Sequence, residues 1–317
     1  MMKMWCMLLA MVFLSISCAA AEDAQGSWLA SVLGEDRAKA LTDGLDAQIQ
    51  RKDIYAALIY IVGEVSEYSR EYDHVGTLNK IDDLIEDEKN AAIVLYMNTP
   101  GGSLYEADEL YHRLMTYKKE TGRPVYAYMA QECCSAGVYV AMAADRIAAA
   151  RMSLTGSVGV YMSTYSQAGL FEKLGIETEY IVTGENKIAG YPKLTDAQRE
   201  IYQSLVDEGF ESFKEAIAHA RNLSDEQIAA FADGRLLTAR QAEAAGLIDE
   251  VVYYDEWIDS ILEGLGGNAA VRDVTPPVSG MGFDGEQLLN WLIRMAPQAD
   301  EQPGNGVSGL HLGGLRS

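Results

Sequence analysis

The sequence predicts an α/β fold built on a largely parallel sheet, and three observations predict it. Short apolar runs rich in β-branched and aromatic residues recur along the middle of the chain, helix-capping motifs stand between them, and Gly/Pro-bearing turns follow them. Strands that alternate with helices are joined by crossovers, and crossovers align neighbouring strands in parallel.

IYAALIYIVGEV (54–65) is the first strand, an apolar run suited to burial on both faces. LNKIDDLIEDEK reads as a helix, and AAIVLYM (91–97) as a second strand ending in the turn NTPGGS. Ser103-x-x-Glu106 predicts a capping box, Leu104, Ala107, Tyr111 and Leu114 an apolar helix face, and Gly122 with Pro124 its end. VYAYM is a third strand, SAGVYVAMAA a short apolar helix, RIAA a strand, LTGSVG a turn, and IETEYIVT (176–183) a further strand. Thr195 opens a long helix with Ile201, Leu205, Phe213 and Ile217 on one face. Ser224-x-x-Gln227 and Thr238-x-x-Gln241 cap two more helices, Gly246 ends the last, and LIDEVV closes the domain as a strand.

The 317 residues divide into a signal segment at 1–21, a helical segment at 22–52, one catalytic-sized domain at 53–262, and a Gly/Pro-rich, flexible tail at 263–317 with one short amphipathic helix, EQLLNWLIRM. No internal repeat is present, so the chain holds a single catalytic copy. The first residues, a lysine, an apolar run and then Ala19-x-Ala21, have the layout of a secretory signal. Kept uncleaved, the run is a membrane anchor at the short end of the ~20 residues that spanning needs; Cys18 offers lipidation as a third fate. Export places the protein in a periplasm or on the outer face of the cytoplasmic membrane. A net charge of −22 argues against nucleic acid as a partner. Beyond the signal only Cys133 and Cys134 remain, which excludes a disulfide framework and a spaced metal site.

Chemistry concentrates in NTPGGS and in CCSAGVY, each directly after a predicted strand, where active sites of parallel sheets form. Cys133, Cys134 and Ser135 are all candidate nucleophiles. Ser135 opens a helix, where free N–H groups point at it, while Gly101 and Gly102 let a backbone approach a ligand and present donors. Taken singly, Pro-Gly-Gly is an ordinary turn and Ser135 an ordinary N-cap. A serine nucleophile needs a base, and His74, His112, His219 and His311 are scattered. A lysine serves if burial leaves it neutral, and Lys187 lies in the glycine-bounded loop TGENKIAGYP.

In this order NTPGGS, the serine motif, LTGSVGV, GENKIAGYP and GRLLTARQAEAAGLIDEV resemble the signal peptide peptidase A family of Ser–Lys peptidases, from about Ile54 to Ile261. The resemblance implies a Clp protease/crotonase-like fold, Ser135 as nucleophile, Lys187 as general base, Ser157 supporting the lysine amine, and an oxyanion hole from Gly102 and the Ala136 N–H. Gly101 and Ser103 fall beside the substrate. Ser-Ala-Gly stands where Ser-Gly-Gly is usual, a feature shared with membrane-bound Clp-like peptidases. The cysteines read as small apolar packing behind the serine, with a vicinal disulfide or redox switch as the rival. The resemblance also implies extended apolar peptides, such as remnant signal peptides, as substrates, a homo-oligomer, and no metal or cofactor. The alternatives are a phage-type capsid protease with the same dyad, a crotonase-like acyl-CoA enzyme, and an inactive scaffold; export opposes the first two, and the filled dyad positions oppose the third.

Overall fold

The computed structural model describes residues 54–267 and 269–278, together with Lys39. The signal segment, the rest of the N-terminal helical stretch and the amphipathic helix expected at 286–295 lie outside the described residues.

Three long strands, β1 (Tyr55–Val62), β2 (Asn90–Thr99) and β3 (Val125–Cys134), form the middle of an eight-stranded sheet. Their continuous apolar runs are covered on both faces, as parallel strands require. Shorter strands follow: β4 (Arg146–Ala149), β5 (Leu154–Gly156), β6 (Leu236–Thr238), β7 (Glu250–Val251) and β8 (Ala270–Asp273). The sheet runs β6-β5-β3-β2-β1-β8, with β4 beside the first half of β3 and β7 beside β4. Every pairing is parallel except β5 with β6. The α/β expectation is borne out.

Eight helices are described: α1 (His74–Glu86), α2 (Leu104–Thr121), α3 (Ala136–Ala141), α4 (Ala168–Lys173), α5 (Asp196–Arg221), α6 (Asp225–Ala229), α7 (Ala239–Ala244) and α8 (Tyr254–Gly264). On one face of the sheet α1, α2, α3 and α5 bury Ile81, Leu110, Leu114, Val138, Phe213 and Ile217. On the other, α8 sets Trp257, Ile258 and Ile261 against Leu58, Val94 and Tyr128. Full burial of a side chain such as Phe213 contributes about 1.5–3 kcal/mol.

The capping boxes expected at Thr195, Ser224 and Thr238 are all formed. At Ser103 the box is absent, because the Ser103 N–H that Glu106 would have accepted donates to Val65 O at 3.0 Å. Glu106 accepts instead from the Glu67 N–H at 3.4 Å. Three further expectations are corrected. LTG pairs as β5 rather than only turning. Residues 176–183 form no strand: the chain leaves the sheet after β5, no neighbour among the described residues offers a ladder there, and Ile181 stands 95% exposed. Within the stretch read as a flexible tail, Ala270–Asp273 pair with Tyr55–Leu58. The glycines at 264, 266 and 267 mark the turn between α8 and β8, not the end of order.

Candidate active site

The β2–β3 register shifts between Met97 and Thr99, and the chain peels from the ladder into Pro100-Gly101-Gly102. Both glycines are required by close approach. A Cβ on Gly101, whose φ is +119°, would lie 2.9 Å from the Ser135 Cβ, and one on Gly102 would lie 2.2 Å from Val65 O. Val65 pairs with this loop on one side, its N–H donating to Gly101 O at 2.9 Å and its carbonyl accepting from Ser103 N–H. The Gly102 N–H is left without a backbone partner among the described residues.

Ser135 stands between β3 and α3 with φ 50° and ψ −117°. A non-glycine residue held there costs on the order of 1–3 kcal/mol and persists only where its surroundings over-determine it. They do: its N–H donates to Gly156 O at 2.9 Å and its carbonyl accepts from Tyr139 N–H at 3.1 Å. The first N–H of α3, on Ala136, has no backbone partner among the described residues. Ser157 also has positive φ, 52°, and its N–H donates to Arg235 O at 2.7 Å.

The cysteines are poor nucleophiles. Cys133 is wholly buried, and burial pushes its thiol well up, away from the reactive thiolate. Burial also raises Cys134, whose Sγ lies 3.8 Å from Leu154 O. As successive strand residues the two point to opposite faces, which separates their thiols.

Ser135, Ser157, Gly101 and Gly102 line one cleft of about 700 Å³. Val158, Val160, Val206 and Phe210 give it apolar walls, and Glu64, Asp207 and Asp233 bring carboxylates to it. Asp233 is drawn down to about 2 by hydrogen bonding from the Arg235 guanidinium at 2.7 Å. Ser103 is not part of the lining; its N–H is committed to Val65. Lys187 is not brought to this cleft either. It is exposed, and with Tyr165, Phe171, Tyr180 and Tyr191 it borders a separate depression of about 330 Å³. Sequence reasoning missed the α5 wall because it followed the 201-205-213-217 row. The adjacent row, Gln203, Val206, Asp207 and Phe210, has helical spacing too and was legible.

A glycine-lined loop beside a serine held at a strained strand-to-helix corner, in a cleft lined by Gly102 with its N–H lacking a backbone partner among the described residues, has the parts of a serine-hydrolase type of site. Residues 117–266 match Peptidase family S49, a span that includes Ser135, Ser157 and Lys187. Over that span the chain is similar to the S49 peptidases, in line with the motif resemblance. A protein of Enterococcus faecium named signal peptide peptidase SppA is 31% identical over 202 residues, 63% of this chain and 58% of that one. The chloroplastic serine protease SPPA of Arabidopsis thaliana is 29% identical over 55% of this chain and 26% of its own. Capsid assembly protease C of Escherichia phage lambda is 30% identical over 62% of this chain and 45% of its own. The chain thus spans little more than half the length of the first of these and less of the others.

Proposed function

We propose that the chain is a serine endopeptidase in which Ser135 is the nucleophile and Lys187 the general base, acting on extended apolar peptides outside the cytoplasm. The observation that carries the reading is Ser135 at its strained corner, sharing one cleft with Gly102 and followed directly by Ala136, two residues whose N–H groups have no backbone partner among the described residues. The signal-like first residues support the location; no helix among the described residues is long and apolar enough to cross a membrane.

Neutral Lys187 Nζ accepts the Ser135 Oγ proton as Oγ bonds to the scissile carbonyl carbon, and the two N–H groups hold the oxyanion. The C–N bond then breaks as Lys187 gives its proton to the leaving amine; Lys187 next takes a proton from water as the water oxygen bonds to the ester carbon, and returns it to Ser135 Oγ as the C–O bond breaks. Ser157 lines the same cleft, and its hydroxyl accepts from the lysine amine once Lys187 is there. Val65 occupies one side of the glycine loop, so the peptide lies on the other, between Gly102 and the Val158–Val160 wall. Lys187 reaches such a cleft when its segment packs on a neighbouring copy. Tyr165 and Tyr180, which border the same depression as Lys187, and Ile181 next to Tyr180 present large apolar side chains to solvent, the mark of a surface meant to be covered.

A fluorophosphonate probe, mapped by mass spectrometry on the purified full chain, is expected to modify Ser135 and to leave Ser135→Ala unlabelled. Labelling elsewhere, or full peptide hydrolysis by Ser135→Ala, overturns the reading. The similarity to the phage lambda capsid protease supports a second reading, a capsid-type protease with the same dyad.

A further inference from the structure

One face of α5 lines the same cleft as the glycine loop. Gln203, Val206, Asp207 and Phe210 follow spacings of three and four, so they form a single row along the helix, and all four line the cleft. Val206 and Phe210 are half-buried and offer an apolar strip. Asp207 stands beside them with its carboxylate accepting from Gln203 Nε2 at 2.8 Å. Neither Asp207 nor Glu64, the other unneutralised carboxylate of the lining, has an ion-pair partner among the described residues, whereas Asp233 is matched by Arg235. No lysine, arginine or histidine belongs to the lining. An apolar strip that ends in an uncompensated carboxylate suits a side chain with an aliphatic stem and a cationic head.

We propose that the α5 row determines specificity, with Val206 and Phe210 taking the stem of a substrate lysine or arginine and Asp207 its charge, so that the preferred substrates are apolar peptides bearing a cation. This rests on the peptidase reading above and names its substrate class. A purely apolar wall would rank norleucine with lysine or above it; the carboxylate reverses that order and places glutamate last. Because Asp207 is exposed, the preference is modest and falls with ionic strength.

The test uses the full chain and a set of internally quenched apolar peptides that carry lysine, norleucine or glutamate in turn at each position near the cleavage site. The readout is the lysine-to-norleucine ratio of kcat/KM. At one position the wild type is expected to give a ratio of about five at low salt, shrinking as salt rises. Asp207→Asn brings the ratio to one or below, and Asp207→Lys makes the glutamate peptide a better substrate than the lysine peptide. Glu64→Gln, a control for general charge, lowers it less than Asp207→Asn. A wild type without the lysine preference, a ratio untouched in Asp207→Asn, or a larger fall in Glu64→Gln overturns the assignment. Turnover of the norleucine peptides with fluorophosphonate sensitivity keeps the peptidase reading standing in each of those cases. Failure to cleave any peptide, with no probe labelling, removes that reading and this proposal with it.

Discussion

The two halves of the candidate site are made by opposite means. Around Ser135 the chain is packed: Thr99, Cys133 and Val138 are wholly buried, and Ala136 nearly so. Its backbone is tied to Gly156 and Tyr139. Around Lys187 the chain is open, with Tyr165 at 87% and Ile181 at 95% exposure, and α4 buries no residue. A parallel sheet fixes the position of the nucleophile from within, since a corner at a strand end inherits the rigidity of the ladder. The lysine segment leaves much of its apolar surface uncovered among the described residues, and in the function proposed above a neighbouring copy covers it.

The sharpest way to break that contrast is to separate the halves genetically. Ser135→Ala and Lys187→Arg should each lower kcat/KM by at least about a thousandfold, because arginine keeps the charge but cannot give up its proton. Mixing Ser135→Ala with Lys187→Ala chains under conditions that allow exchange should restore a measurable fraction of activity. No recovery after demonstrated exchange would place both groups in one copy. Cys133→Ala with Cys134→Ala should keep most of the turnover, since neither thiol faces the chemistry.

Gly102→Ala probes the packed half. Its Cβ would sit 2.2 Å from Val65 O, so the loop must shift and carry the Gly102 N–H with it. A loss of about a hundredfold in kcat is expected, the scale of one oxyanion donor. Wild-type turnover in the alanine variant would remove Gly102 from the mechanism. On the open half, Ile181→Glu places a charge on the surface that the proposed reading covers with a neighbouring copy. Light scattering should report a smaller particle and activity about tenfold lower, with the thermal midpoint of the chain unchanged. An unaltered mass would contradict the role given to this segment.

The smallest effect concerns Asp249, which ties β4 to α5 by accepting from Ile147 N–H at 2.7 Å and from both terminal nitrogens of Arg221 at 3.0 and 2.6 Å. Burial alone would raise its carboxyl, but these donors outweigh burial and hold it below the usual range. A carboxyl lowered in the fold stabilises above its unfolded pKa, and that contribution fades as pH falls through the lowered value. Asp249→Asn should therefore melt a few degrees below wild type near pH 7, and the gap should close below about pH 4. A gap that persists in acid would assign the loss to packing instead.

The packed half was largely legible in the sequence. Apolar runs marked β1, β2 and β3, and the glycines with Ser135 stood at strand ends where such sites form. The Thr195, Ser224 and Thr238 boxes carry their own local chemistry and formed as read. The Ser103 box failed because Val65, 38 residues earlier in the chain, took the N–H it needed, and no local pattern registers such a partner. IETEYIVT misled for a related reason: β-branched residues favour a strand only where a neighbour completes the ladder. Ile201 and Leu205 lie on the same helical row as Phe213 and Ile217, yet they are exposed while the latter two are buried. Each step of four residues drifts about 40° around a helix, so the row winds away from the core between Phe213 and Ile201.

The strand closing the far edge of the sheet has a consequence for how copies can meet. β8 covers the first half of β1, and beyond it Val274 N–H donates to Leu58 O while Thr275 Oγ1 accepts from Tyr60 N–H. The next two residues, Pro276 and Pro277, have no N–H to offer, and Arg272 and Asp273 put charge along the outer margin. A stray strand arriving there finds few donors and meets charged side chains, so this margin resists zipping onto another sheet. Crowding many copies of the protein together then need not seed fibrils from this side, which leaves side-chain packing, not shared ladders, as the means of association there.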